Sequence, residues 1–358
     1  MPYKKNYYDG NPGGVWKQTL LLSEPLHRRN PPTCPVDTMN HKQPEKTNQV
    51  ASASKIAPPR YVIITPAYNE EQYIEKTIQS VLQQTVQPLQ WLIVDDGSTD
   101  NTANIIKSYS EQHTFIHYCF REKVARQEYF ASNVFAIMEA YEKSKEMTYD
   151  FLAVLDADIV LPANYYEWIL GKFIQDPNLG VASGIYVNLI KGKLCTVLHD
   201  RRSTPKAIQV FRKKVFEEIG GFIPLKWGGE DTISCVMARI HKWKAWSFPD
   251  IEAVHLRPTG TGAVSNILSA RFRQGICEYN MAVHPLFFLL KVLRRAILEK
   301  PYILGSILRF SGYLLAAVRR DKTILPDSVV AFLRKEQLQR VLSGNKINQP
   351  GTESRKQV

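Results

Sequence analysis

Tyr61-Val-Ile-Ile-Thr-Pro-Ala-Tyr-Asn-Glu70 is the stretch on which the fold turns. Its first five residues are rich in β-branched side chains and stop at Pro66, the pattern of a buried strand. Ile74, Ile78, Val81 and Leu82 then recur at helical spacing behind the polar opening Asn69-Glu-Glu71. A second short apolar run, Trp91–Val94, leads into Asp95-Asp-Gly-Ser-Thr-Asp100, and a helix over about 102–110 follows. Strand, helix, strand, helix in this order predicts a parallel, doubly wound α/β sheet. A third strand, Phe151–Leu155, ends in Asp156-Ala-Asp158, with Pro162 and a helix over about 164–174 behind it. Polar chemistry therefore collects where strands end, the edge at which open α/β sheets hold ligands.

The second half is less regular. Ser203–Arg212 reads as a strand, 213–219 as a helix, Gly220-Gly221 as a turn, and Ala245–Phe248 as another strand. Trp227-Gly-Gly-Glu-Asp231 opens a further helix. Residues 1–58, rich in Pro, Asn, Lys, Thr and Ser, are expected to be a disordered leader, with Met39 a candidate internal start. One α/β domain is expected over 59–265, a helical region both basic and apolar over 266–340, and a disordered tail over 341–358.

The chain has 358 residues, enough for one large domain or two modest ones. Its formal net charge of +12 points to an anionic partner: nucleic acid, acidic lipid or a phosphorylated substrate. The five cysteines are scattered with no C-x-x-C pair, so neither a zinc site nor a disulfide framework is indicated, and a reducing compartment is the simpler reading. No secretory signal and no charge-free apolar run long enough to span a bilayer stand out.

Three acidic groups carry the chemistry. Asp156 and Asp158, one residue apart on a turn after a buried strand, can offer hard oxygen ligands to Mg²⁺ or Mn²⁺; a solvated turn is the plainer reading of such a pair. Asp95-Asp96-Gly97-Ser98 can accept from ribose hydroxyls or base N–H groups, and is equally ordinary turn chemistry. Asp231, behind Gly228-Gly229-Glu230, is either a first-turn helix carboxylate or a general base kept ionised by the helix terminus.

These motifs, Val62–Glu70, Val94–Asp100, Leu155–Asp158 and Gly229–Asp231, resemble those of glycosyltransferase family 2 in order and spacing. The resemblance covers about residues 60–260. It implies a GT-A fold with a nucleotide-binding half and an acceptor half, and inverting sugar transfer from a nucleoside diphosphate sugar, a UDP- or GDP-sugar. Carried over by position, Pro66, Ala67, Tyr68 and Glu70 would line the nucleotide pocket and Asp96 would hold the base. Asp156 would contact ribose or metal, Asp158 would hold Mn²⁺ or Mg²⁺ with His255 a possible further ligand, and Asp231 would deprotonate the acceptor beside Glu230. The segment Lys123–Ala131 departs from the family's glycine- and asparagine-rich run, so Arg126 or Lys123 is only loosely matched to the diphosphate. The Q-x-x-R-W motif of processive synthases is absent and Arg273-Gln274-Gly275 does not replace it, which favours transfer of a single sugar.

A nucleotidyltransferase, or a non-catalytic sugar-nucleotide-binding protein, would share this architecture. The first should carry a glycine-rich basic loop where Pro66–Glu70 stands, and the second should lack Asp158 or Asp231. A dinucleotide-binding oxidoreductase needs G-x-G-x-x-G, and Gly260-Thr-Gly262-Ala-Val-Ser265 is too late and lacks the third glycine. The basic residues gather in the apolar segment 284–320, where seven Lys and Arg face one Glu. That favours acidic lipid over nucleic acid. The expectation is peripheral attachment at the cytoplasmic face of a membrane, with a glycan or lipid-linked acceptor.

Overall fold

The computed structural model describes residues 59–122, 129–260 and 266–343, and the segments expected as leader and most of the tail lie outside them, as do Lys123 and Arg126. The first strand, β1 (Tyr61–Ala67), is buried along its whole length. Tyr61 and Ile63 pack into one apolar cluster and Val62 and Ile64 into another, because successive side chains point to opposite sheet faces and helices cover both. A strand covered on both faces has no polar side to alternate, hence its unbroken apolar sequence.

The elements run β1, α1 (Ile74–Leu82), β2 (Gln90–Asp95), α2 (Thr102–Gln112), β3 (Ile116–Phe120), α3 (Tyr129–Ser144), β4 (Phe151–Leu155), β5 (Ile159–Val160) and α4 (Tyr165–Gln175). They continue with β6 (Leu179–Ile190), β7 (Lys193–Thr196), β8 (Ile208–Arg212), α5 (Lys213–Glu218), α6 (Glu230–Ile240) and β9 (Lys244–His255). The strands form one sheet in the order β3-β2-β1-β4-β8-β6-β9-β5, with β7 on β6. β1, β2, β3, β4, β6 and β9 run one way and β5, β7 and β8 the other, so the sheet is mostly parallel. A mostly parallel α/β sheet is what the sequence predicts.

Register aligns the chemistry. Ala67 lies beside Asp95, and Ile64 beside Val154, so Pro66 and Asp156 leave the sheet at one level. β8 runs antiparallel to β4 with Leu155 against Ile208, which brings Lys206 to the end of β4. β5 pairs with the end of β9, Ile159 against His255. The strand expected from Ser203 starts only at Ile208, because 203–207 folds as a turn in which Pro205 and Lys206 carbonyls accept from Ile208 and Gln209.

Four helices follow: α7 (Ile267–Asn280), α8 (Pro285–Leu298), α9 (Tyr302–Arg319) and α10 (Asp327–Leu342). Leu225, Ile233 and Val236 of the α/β part share a third core with Met281, Phe288, Val329 and Leu333 of these helices. α7 and α9 touch backbone to backbone: a Cβ on Gly275 would overlap the Arg309 carbonyl, and one on Gly312 the Phe272 carbonyl. Among the described residues no helix is long and apolar enough to cross a membrane.

α8 and α9 reverse the usual helix polarity. Leu293, Ile297, Ile303, Ile307, Leu314 and Val318 are exposed, Ile297 at 76% and Ile303 at 68%. Arg309, counted among the basic residues expected to favour acidic lipid, is buried, and Lys291 and Arg295 are turned inward beside it. The spacing explains the reversal: residues 291 and 295 stand one helical turn apart on the face toward α9, while 286, 293 and 297 fall on the other.

Candidate active site

The first two motifs are tied together. Asn69 takes the left-handed conformation, φ 53°, which Asn tolerates better than most residues. Its N–H donates to Ser98 Oγ (3.0 Å) and its Oδ1 accepts from Thr99 N (2.8 Å). Glu70 N donates to Thr102 Oγ1 (2.8 Å), and Asn101 N donates to Glu71 Oε2 (2.9 Å). Pro66, Ala67 and Tyr68 thus lead from the end of β1 into a loop braced by the loop that ends β2. Asp96 does not stand open toward a base. Its side chain is turned inward, where Arg121 and Ser132 take both oxygens, since a buried carboxylate must find donors.

Glu70, Asp158, His255 and Arg257 form one buried cluster. Arg257 Nη2 lies 2.5 Å from Glu70 Oε1, and its Nε 2.5 Å from Asp158 Oδ2. His255 Nε2 lies 2.9 Å from the same Asp158 oxygen, while its Nδ1 sits 3.2 Å from Asn188 Oδ1. Burial pushes the Glu70 carboxyl up to about 7 against the pull of Arg257. At Asp158 burial also pushes upward, but His255 and Arg257 overcome it and hold the group down at about 2.

The residues fit a divalent cation in part. Asp158 Oδ1 and Glu70 Oε2 are buried with no donor. His255 Nε2 stands 2.9 Å from Asp158 Oδ2, and a cation held by both would take the place of that contact. Among the described residues no three His, Cys, Asp or Glu side chains converge as a ligand set. Asp158 and His255 would therefore supply two ligands and leave the remaining positions to substrate oxygens and water.

Asp156 and Asp231 are joined through Lys206, a residue for which the sequence carried no signal. Lys206 Nζ lies 2.6 Å from Asp156 Oδ1 and 2.9 Å from Asn133 Oδ1, while its backbone N–H reaches Asp231 Oδ2 at 3.4 Å. Asp231 Oδ1 accepts from Thr232 N at 2.6 Å. Burial raises the Asp231 pKa, with those backbone N–H groups and Lys206 opposing it, which leaves a carboxylate more basic than a free one. Neighbouring Glu230 is pushed by burial up to about 7, and its Oε2 has no partner. Gly228 and Gly229 precede them with φ of 91° and 100°, and a Cβ on Gly229 would overlap the Met281 sulfur.

Asp156, His255, Glu230 and Asp231 line one cavity of about 1020 Å³, which continues between α7, α8 and α9. Pro66, Ala67, Tyr68, Glu70, Asp96 and Asp158 do not line it. Arg257 escaped sequence reasoning, although it stands two residues beyond His255.

The sequence profile of Glycosyl transferase family 2 matches residues 62–227. Poly-beta-1,6-N-acetyl-D-glucosamine synthase of Staphylococcus aureus (strain COL) is 29% identical over 117 residues, 33% of this chain and 26% of that protein. The synthase of Staphylococcus epidermidis is 30% identical over the same shares. The matched part is thus about a quarter of those relatives' length. A mannosyltransferase from Pyrobaculum calidifontis, solved with GDP-Man and Mn²⁺, is 19% identical, with a TM-score of 0.48 over 79% of this chain and 81% of that one. S. aureus TarS, solved with UDP-GlcNAc, is 16% identical, with a TM-score of 0.46 over 62% and 66%. With the motifs in order on the ends of β1, β2 and β4 and at the start of α6, the region over residues 62–227 is similar to glycosyltransferase family 2.

Proposed function

We propose that the chain transfers one sugar from a nucleoside diphosphate sugar to a hydroxyl of a lipid-linked or cell-surface glycan precursor, with inversion. The observation that carries this is the meeting of Asp156 and Asp231 across Lys206 on one wall of a large cavity. Pro66, Ala67, Tyr68 and Glu70 lie on the nucleotide side and Glu230 on the acceptor side; Asp96, bonded to Arg121 and Ser132, is a positioning residue for the β2 loop. Asp158 and His255 would hold Mn²⁺ or Mg²⁺, which when bound supplies positive charge toward a departing diphosphate.

The acceptor oxygen attacks the anomeric carbon as the bond from that carbon to the diphosphate oxygen breaks. The acceptor proton passes to an Asp231 oxygen, and the diphosphate leaves with the bonding pair. General-base help of this kind is worth about 10²–10⁴-fold. The supporting features are the raised Asp231 pKa and its place in the first turn of α6. Turnover is measured as nucleoside diphosphate release across a panel of sugar nucleotides with Mn²⁺. Asp231→Asn should slow transfer about 100-fold or more while donor affinity stays near normal. Near wild-type turnover in that variant removes Asp231 from the reaction.

The outward apolar face of α8 and α9 supports attachment to an anionic bilayer. Leu293, Ile297, Ile303 and Ile307 on it are exposed, and Arg294, Lys300, Arg319 and Arg320 are exposed near them. Apolar insertion and attraction to acidic headgroups then act together. A cytoplasmic face fits the free state of the four described cysteines.

A further inference from the structure

At the helical end of the cavity four cations share two carboxylates. Arg271 Nη1 lies 2.8 Å from Glu299 Oε1, and Arg295 Nη1 and Arg309 Nη2 lie 2.5 and 3.0 Å from Glu299 Oε2. Lys291 Nζ and Arg309 Nη1 lie 3.1 and 3.4 Å from Glu278 Oε1. All six side chains line the cavity. The Arg309 side chain is 3% exposed and that of Arg271 11%.

The cluster therefore keeps an excess of two positive charges largely out of water. Buried charge is tolerated only when it is paired and hydrogen-bonded. The Nε–H groups of Arg271 and Arg309 are buried with no acceptor, and so is that of Arg340 on the adjoining wall. Burial lowers the pKa of Arg309 and of Lys291, and takes Arg271 down to about 10. What is missing is a compact group with about two negative charges and several acceptor oxygens, which is what guanidinium forks hold best as phosphate. Glu278 Oε2 lacks a donor, and a singly protonated phosphate oxygen supplies one.

The same end of the cavity reaches Leu298, Lys300, Pro301 and Tyr302, at the turn between α8 and α9. Ile297 and Ile303, flanking that turn, are among the most exposed apolar side chains of the molecule. A phosphate in the cluster thus has an apolar surface beside it and Asp231 farther along the cavity.

We propose that Arg271, Lys291, Arg295 and Arg309 seat the phosphate of a lipid-linked acceptor whose apolar chain leaves over the α8–α9 turn. Its assignment to the acceptor rests on the reading of Asp231 as the base; the phosphate site itself does not.

The test is titration of the full chain, without donor, with inorganic phosphate and pyrophosphate by calorimetry. It is repeated with phosphatidylcholine vesicles with and without phosphatidic acid. Wild type should bind phosphate or pyrophosphate saturably, and Arg271→Gln and Arg295→Gln should each weaken this about tenfold. Lys214→Gln, an exposed change on α5, should not. These two arginines are chosen because Arg309→Gln risks unfolding the helices, and thermal melts confirm that each variant is folded. Phosphatidic acid vesicles should compete with pyrophosphate in wild type and lose this advantage in both variants. Absence of saturable binding, or wild-type affinity in both folded variants, overturns the site. Phosphate binding with no competition from phosphatidic acid overturns the lipid source. If Asp231→Asn keeps full turnover while the phosphate titration holds, the reading of the base fails and the anion site stands.

Discussion

At the strand ends, Glu70 and Asp158 share one guanidinium and one imidazole; between the helices, four cations share Glu278 and Glu299. The orphaned atoms follow the imbalance. They are carboxylate oxygens in the first cluster, and mostly guanidinium N–H groups in the second. On the reading proposed above, the first region would receive a cation on the donor side and the second an anion on the acceptor side.

The largest effect should come from Asp158. Asp158→Asn removes the charge that balances Arg257 and His255, and should weaken Mn²⁺ binding at least as much as loss of an outer-shell partner, about 10–100-fold. Calorimetric Mn²⁺ titration of the full chain reads this, and excess EDTA should abolish turnover. Unchanged activity in chelator would dissolve the contrast between the regions.

Gly312→Ala strikes the other region alone. The new methyl has to push α7 from α9 against the Phe272 carbonyl, an overpacking cost of about 1–3 kcal/mol visible as a lower Tm. Mn²⁺ affinity should survive while phosphate binding falls. Gly171→Ala in α4, where nothing lies near the new Cβ, should instead stabilise by about 0.5–1 kcal/mol.

Glu230 tests the cost of burial by pH. Its folded pKa of about 7 lies above the ordinary 4.5, so the folded chain binds the extra proton. The stability it contributes is full below about pH 4.5 and lost as pH rises through 7. Glu230→Gln should therefore raise stability relative to wild type at pH 8 more than at pH 5, by about 1–3 kcal/mol in thermal melts. An equal difference at both values would show that the group titrates normally.

The smallest effect is expected at the bilayer. Ile297→Ser should reduce co-sedimentation with phosphatidylglycerol vesicles by roughly the contribution of one buried side chain, about 1–2 kcal/mol, and leave phosphate titration unchanged. High salt should weaken the electrostatic part, since the Debye length falls from about 8 Å to about 3 Å at 1 M. Wild-type binding by the variant would detach the apolar face from the membrane.

The strands carrying the motifs were legible because burial on both faces leaves an unbroken apolar run, and each ends in acidic or turn residues. Lys206 and Arg257 were not. Their partners lie 50 and 187 residues away, Lys206 reaching Asp156 because β8 joins β4, and Arg257 reaching Glu70 from beyond β9. The basic residues of 284–320 were visible as a composition, but their direction was not. An expectation of outward charge fails when a helix has two polar surroundings to choose between and its neighbours supply the carboxylates.

The bracing of Asn69 and Glu71 against Ser98–Asn101 bears on how a nucleoside would be received. Two loops that hold each other before any ligand arrives have already spent their conformational freedom during folding. A nucleoside docking there meets a finished surface, so the donor's own stiffening dominates the entropy lost on binding. Loosening that brace, as by Asn69→Ala, should leave the contacts in place and slow their assembly into a competent pose.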